Sequence, residues 1–215
     1  MRSEELHENF RAIRDSQNFD ENHRTRLHRA ISWLKCAESY SENDADVAVI
    51  ALWISFNSCY SIESNSRALK HDKRKANLLI EKLLEFDTEN VLHNLLFDKY
   101  REEIKRIINN KFIYGRYWES RKKTDLDWQK SFTNARRAAR RSLEEGDTAK
   151  LLNIIIARLY VLRNQLIHGG ATYKGSINRE QVNDAKGLLI DLIPVIIETM
   201  FNKADWGEIS YPVVG

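Results

Sequence analysis

Only two prolines, Pro194 and Pro212, and eight glycines occur among 215 residues. So few breakers exclude a sandwich of short strands joined by Gly- and Pro-rich turns, and the many Leu, Ala, Arg, Lys and Glu residues favour long helices. Cysteine is scarce too. Cys36 and Cys59 both fall inside apolar helical patterns and read as small reduced core residues, which excludes a disulfide framework. No histidine or cysteine spacing suits zinc, with His28 and His93 isolated on helices. No glycine loop is built to cradle phosphates and no GxSxG elbow appears, so ATP use and serine hydrolysis have no motif behind them. The longest apolar run, 47–56, is broken by Ser55 and is far shorter than a membrane span. The opening MRSEELHENF lacks the apolar core of a secretory signal. The expectation is a cytoplasmic protein with no membrane partner, no cofactor and no metal.

What the chain has is balanced. The 34 basic and 31 acidic residues leave a net charge of +3, so nucleic-acid binding must be argued from local clusters rather than total charge. Hydrophobic residues at 42% and charged residues at 30% suit a folded globular chain with one buried core. We therefore expect an all-α protein with a single domain over 1–215. Residues 1–18 are polar and read as a short helix or loose N-terminal arm. Residues 203–215 read as a tail whose Trp206, Tyr211 and Val213 pack back on the bundle.

Between these ends, apolar residues at Leu27, Ala30, Ile31, Leu34 and Ala37 recur at three-and-four spacing, with Arg24, Arg26, Arg29 and Lys35 on the other side. Asp44 is placed to cap the next helix, 47–62, which is apolar nearly all round and contains Asn57 and Ser58. Residues 64–75 read as a charged connection and 76–86 as a helix. Thr88 is placed to cap a helix through Ile108, and 115–127 reads as irregular. A basic helix over 128–143 stops at Gly146, a second apolar helix covers 148–167, and a last one, 178–201, contains Pro194 as a kink.

Chemistry concentrates where the 148–167 helix ends, in Arg163-Asn164-Gln165-Leu166-Ile167-His168-Gly169-Gly170. A guanidinium holds phosphate charge through its fork of donors, and an imidazole is the side chain that moves protons near neutral pH. Arg2 and His7 share the same spacing, but they sit in the polar terminus. At about 100° per residue, Arg163, Asn164 and His168 fall on one arc of the helix. The competing reading is a cationic pair that satisfies free carbonyls and complements the dipole at the end of a helix. Spacing and context leave both readings open.

Leu162 to Gly170, LRNQLIHGG, resembles the signature of the HEPN superfamily (higher eukaryotes and prokaryotes nucleotide-binding domains). That signature is an arginine, often followed directly by Asn, Asp or His, with a histidine four to six residues on. The segments RLHRAISWLKCAE, ALWISFNSCYS and WGEISYPVV are similar to a bacterial group of stand-alone HEPN proteins of the ApeA-like kind, so the resemblance covers most of the chain from about Asn22 onward. It implies a HEPN-like helical bundle with additional helices. It also implies a metal-independent endoribonuclease, acting as a homodimer in bacterial defence or stress, with Arg163, Asn164 and His168 as catalytic residues. A toxin–antitoxin arrangement or another defence-system partner protein fits the same implication. The alternative is a non-catalytic HEPN module that binds RNA, a nucleotide or a protein partner.

Two other clusters bear on RNA. Arg136, Arg137, Arg140 and Arg141 occupy adjoining faces of the basic helix, where like charges repel unless answered by RNA phosphates or by Glu144, Glu145 and Asp147. Arg116, Tyr117, Trp118, Arg121, Lys122, Lys123 and Trp128 interleave bases with aromatics, suited to stacking on unpaired bases or to capping the core.

Overall fold

The structure is a computed structural model that describes residues 1–14, 19–60, 70–122, 127–202 and 206, with the backbone alone for 70–74. Among these residues it is all-α, with ten α-helices and no strand. They are α1 (Arg2–Arg14), α2 (Glu21–Tyr40), α3 (Ala45–Tyr60), α4 (Lys70–Phe86), α5 (Val91–Asn94), α6 (Arg101–Asn109), α7 (Gly115–Ser120), α8 (Trp128–Glu145), α9 (Thr148–Ile167) and α10 (Arg179–Thr199). No helix among the described residues is long and apolar enough to cross a membrane. The chain forms two compact units, one of Met1–Glu89 with Leu189–Gly215 and the other of Asn90–Leu188.

The first unit is built on the pairing of α2 with α3. The Ser55 hydroxyl donates to the Ala30 carbonyl at 2.6 Å, a buried bond between these two helices. No residue of α3 is exposed, as its apolar composition requires. Asp44 caps α3 by accepting from the Val47 amide at 3.1 Å, as expected. Within α3, the Asn57 side-chain oxygen is buried without a hydrogen-bond donor, so it gains no core hydrogen bond. Cys59 is buried, and burial pushes its thiol up to about 12, whereas Cys36 is only half-buried.

Of the two alternatives for the N-terminal stretch, residues 2–14 take the helical one. They pack on α2, because Leu6 and Phe10 at four-residue spacing give the otherwise polar helix an apolar edge. Phe10 stacks on Phe19 and on Phe201, with ring centroids 6.2 and 6.1 Å apart. Residues 15–18 lie outside the described residues. Of the tail, Trp206 is buried beside Phe86 and His23, while Tyr211 and Val213 lie outside the described residues.

Arg26, expected on the polar side of α2, is fully buried. Its Nη1 donates to the carbonyls of Cys59 at 2.9 Å and Ser58 at 3.4 Å. Those carbonyls close α3, where a helix has no internal donors left, so a cation there meets both the hydrogen-bond demand and the negative end of the dipole. The amphipathic pattern of α2 alone carries no trace of this. His23 is a second buried polar residue, and its Nε2 lies 2.8 Å from the Met200 carbonyl. A carbonyl only accepts, so Nε2 carries the hydrogen. Nδ1 is buried without a partner.

The second unit departs from expectation at its start. Thr88 does not cap a helix; α5 begins after Asn90, which adopts the left-handed region at φ 54°. The helix expected through Ile108 is interrupted by a π-helical stretch, Leu95–Lys99, before α6. Arg106 of α6 then grips the buried Asp184 of α10 through two bonds, Nε to Oδ2 at 2.9 Å and Nη2 to Oδ1 at 2.7 Å. Elsewhere, α4 extends back to Lys70, and 115–120, expected to be irregular, forms α7. Asp127 and Asp147 cap α8 and α9 through the amides of Lys130 and Lys150, both at 3.0 Å. Gly146 ends α8 in the left-handed region at φ 72°, as a glycine after a helix does. α10 runs through Pro194.

Two stability predictions arise here. Arg26→Ala leaves the closing carbonyls of α3 unanswered and opens a void, so it lowers unfolding free energy by about 2–4 kcal/mol in urea titration. Burial, partly opposed by the Met200 bond, holds His23 below its ordinary value of 6.5. A base with a depressed folded-state value contributes stability that is full above about pH 6.5 and is lost as pH falls below it. The thermal midpoint of the wild type therefore drops more between about pH 7 and pH 5 than that of His23→Gln.

Candidate functional site at the end of helix nine

α9 ends at Ile167, and His168 is its C-cap, with its amide donating to the Asn164 carbonyl at 3.0 Å. Gly169 follows at φ 70°, and the chain turns back so that the Ala171 amide reaches the Gln165 carbonyl at 3.1 Å. This is a glycine-terminated helix in which the following turn answers the Gln165 carbonyl. Neither Arg163 nor His168 is spent as a side-chain cap there.

Arg163 and Asn164 are half-buried, and His168 is exposed. The Arg163 Nη1 donates to Asn164 Oδ1 at 2.9 Å. Its Nε is buried without a partner. Among the described residues the guanidinium has no carboxylate partner, and the His168 ring makes no hydrogen bond. The structure thus joins two of the three expected residues, and Asn164 orients the arginine rather than the histidine. A half-buried guanidinium with open donors can take an oxyanion, and an exposed imidazole one turn on can exchange protons with a bound ligand.

Gln165, between them, is buried and ties α9 to the preceding segment. Its Nε2 donates to the Phe112 carbonyl at 2.6 Å, and Trp118 Nε1 donates to the same carbonyl at 2.7 Å. Phe112 and Trp118 are partly exposed, at 37% and 41%, while Tyr117 is buried and meets Phe112, Trp118 and Trp128 edge to face. The aromatic cluster is therefore mixed, with Tyr117 in the core and two rings reaching the surface. Arg121 lies over Tyr117 and bonds its hydroxyl at 3.0 Å, Lys122 is exposed, and Lys123 lies outside the described residues.

The four arginines of α8 line an open depression of about 640 Å³ with Thr133, Glu144 and Glu145. Their compensation is unequal. Arg141 pairs with Glu145 at 2.6 Å, an exposed hydrogen bond that holds its guanidinium above the ordinary value. Arg136 and Arg140 converge on Asn109 Oδ1 at 2.9 and 3.1 Å, an acceptor with no net charge. Arg137 has no partner among the described residues. His93 is structural, bonded to the Thr148 hydroxyl at 2.9 Å and stacked on Phe97.

Arg158 escaped the sequence reading. It is only 4% exposed on α9, with its guanidinium over the rings of Tyr114 at 4.4 Å and Phe132 at 5.3 Å. Burial pulls it down to about 10, which still leaves it charged at neutral pH. The available signal was an arginine between Ala157 and Leu159 inside an otherwise apolar run.

Among the described residues no group of three or more His, Cys, Asp or Glu is placed to hold a metal ion. Compared with models of known protein families, with curated proteins and with solved structures, the chain matches none.

The turn after α9 gives one prediction. A Cβ at Gly169 would meet nothing within 4 Å, so Gly169→Ala acts through the left-handed backbone alone. Urea titration should show a loss of roughly 1–2 kcal/mol, the left-handed penalty of a residue with a Cβ.

Proposed function

We propose that the chain is a metal-independent endoribonuclease of the HEPN type, with Arg163, Asn164 and His168 as its catalytic group. The observation that carries the reading is the end of α9, where Arg163 is pre-set by Asn164 at 2.9 Å and His168 stands exposed beyond it. Neither the Arg163 nor the His168 side chain bonds a closing carbonyl of α9, which weakens the capping alternative. The likeness of LRNQLIHGG to the HEPN signature supplies the reaction class.

Cleavage in this reading uses the ribose 2′-hydroxyl as nucleophile. It attacks the adjacent phosphorus while an imidazole takes its proton. The Arg163 guanidinium holds the non-bridging oxygens, whose charge grows in the transition state. The 5′-oxygen leaves with a proton, and the products are a 2′,3′-cyclic phosphate and a 5′-hydroxyl. One imidazole cannot act as base and acid in the same step. The proposal therefore places two copies of the chain about one scissile bond, each supplying one His168. DNA lacks the nucleophile and is left intact. The four arginines of α8 would contact RNA phosphates outside the scissile position. A setting in bacterial defence or stress, with an antitoxin or other partner protein, follows from family analogy.

The test is single-turnover cleavage of total RNA in the presence of chelator. His168→Ala and Arg163→Ala each lower the rate by about a hundredfold to a thousandfold, the usual cost of one transition-state group. Full cleavage by both variants would overturn the assignment. RNA binding without cleavage by the wild type would favour the binding module instead.

A further inference from the structure

The fold answers its other fully buried arginine, Arg26, with two carbonyls. Arg158 is the contrast. It is 4% exposed, its Nη1 has no acceptor, and among the described residues no carboxylate pairs with it. Two aromatic rings face it, and a cation over ring faces recovers part of what removal from water costs, without supplying a counter-charge.

The neighbourhood adds positive charge. The Tyr114 hydroxyl, on the ring beneath Arg158, lies 2.7 Å from Ser131 Oγ. Arg116 Nη1 donates to the same Ser131 oxygen at 3.0 Å. Arg136 lies 5.5 Å from the centroid of Phe132, the other ring facing Arg158. Three guanidinium groups thus surround the Tyr114–Ser131–Phe132 cluster, and among the described residues none of them has a carboxylate partner. Arg116 is exposed, and Tyr114 and Ser131 are half-buried, so the cluster reaches the surface on that side.

We propose that Arg158, Arg116 and the Tyr114–Ser131 hydroxyl pair form a phosphate-binding site, separate from the Arg163–His168 group. The chemistry selects the ligand. Guanidinium groups about one Tyr114–Ser131–Phe132 cluster repel cations and gain nothing from neutral ligands. The hydroxyl pair beside them, one hydrogen of which is spent between Tyr114 and Ser131, adds one uncharged donor. A tetrahedral phosphate presents several acceptor oxygens and can engage both sets, whereas a carboxylate has only two. Occupancy would supply the counter-charge that Arg158 lacks and would bridge α7, α8 and α9 within the second unit. The phosphate can be free or can belong to an RNA chain. The proposal stands whether or not the chain cleaves RNA.

Calorimetric titration of the intact protein with inorganic phosphate, in chloride buffers of matched ionic strength, tests it. Saturable binding is expected. Arg116→Gln, at the exposed rim, weakens it by about tenfold, the loss of one charge-assisted hydrogen bond. Arg158→Gln weakens it at least as much. If Arg158→Gln fails to fold by circular dichroism, Arg116→Gln decides alone. A parallel titration with a short single-stranded RNA carrying no terminal phosphate separates the sources. RNA binding that is lost in Arg116→Gln and competed by phosphate identifies a phosphodiester. Phosphate binding that RNA does not displace identifies the free ion. No saturable phosphate binding by the wild type, or equal binding by Arg116→Gln, overturns the proposal.

Discussion

A helix ends with carbonyls that no residue of the helix can answer. In a chain made almost entirely of helices, the groups that answer them decide where the polar side chains go. At the end of α3 the donor is Arg26, which gives up its solvation to lie on the carbonyls of Ser58 and Cys59. At the end of α9 the donor is the backbone itself, turned by Gly169 so that the Ala171 amide returns to Gln165. The two solutions have opposite consequences. One consumes an arginine in the core. The other leaves Arg163, bonded only to Asn164, and the His168 ring off the closing carbonyls, with Gln165 holding the Phe112 carbonyl beside them. A glycine that tolerates φ 70° is what makes the second solution possible.

Features set by local chemistry were legible in the sequence. The bounds of α9, the Asp44 cap and the Gly146 stop follow from neighbours a few residues apart, and α3 is buried all round because its composition allows nothing else. Features set by distant partners were not. Arg26 sits on the polar arc of α2 by periodicity, yet its acceptors lie more than thirty residues on, at Ser58 and Cys59. α1 reads as polar because only two residues, Leu6 and Phe10, carry its apolar contact. The interruption at Leu95–Lys99 breaks a run of evenly spaced leucines and isoleucines that periodicity reads as one helix.

The candidate site divides in the same way. Arg163, Asn164 and His168 announce themselves by residue type and by the glycines that follow. That Asn164 serves Arg163 rather than His168 depends on rotamers, which spacing does not encode. Arg158 is the sharper case, because an arginine in an apolar run is visible at once while its lack of an acidic partner is a property of the packed unit. Among the described residues of the second unit, the end of α9 and the Tyr114–Ser131 cluster each hold a guanidinium that no carboxylate pairs with.

Attack by the ribose 2′-hydroxyl, the chemistry assigned to Arg163 and His168, leaves ends that hydrolysis by a metal-activated water does not. End-group analysis of RNA cut by the purified wild type in chelator reads them most directly. The account predicts 2′,3′-cyclic phosphate and 5′-hydroxyl ends that disappear in His168→Ala. Ends bearing a 5′-phosphate and a free 3′-hydroxyl, or cleavage abolished by chelator, would contradict it.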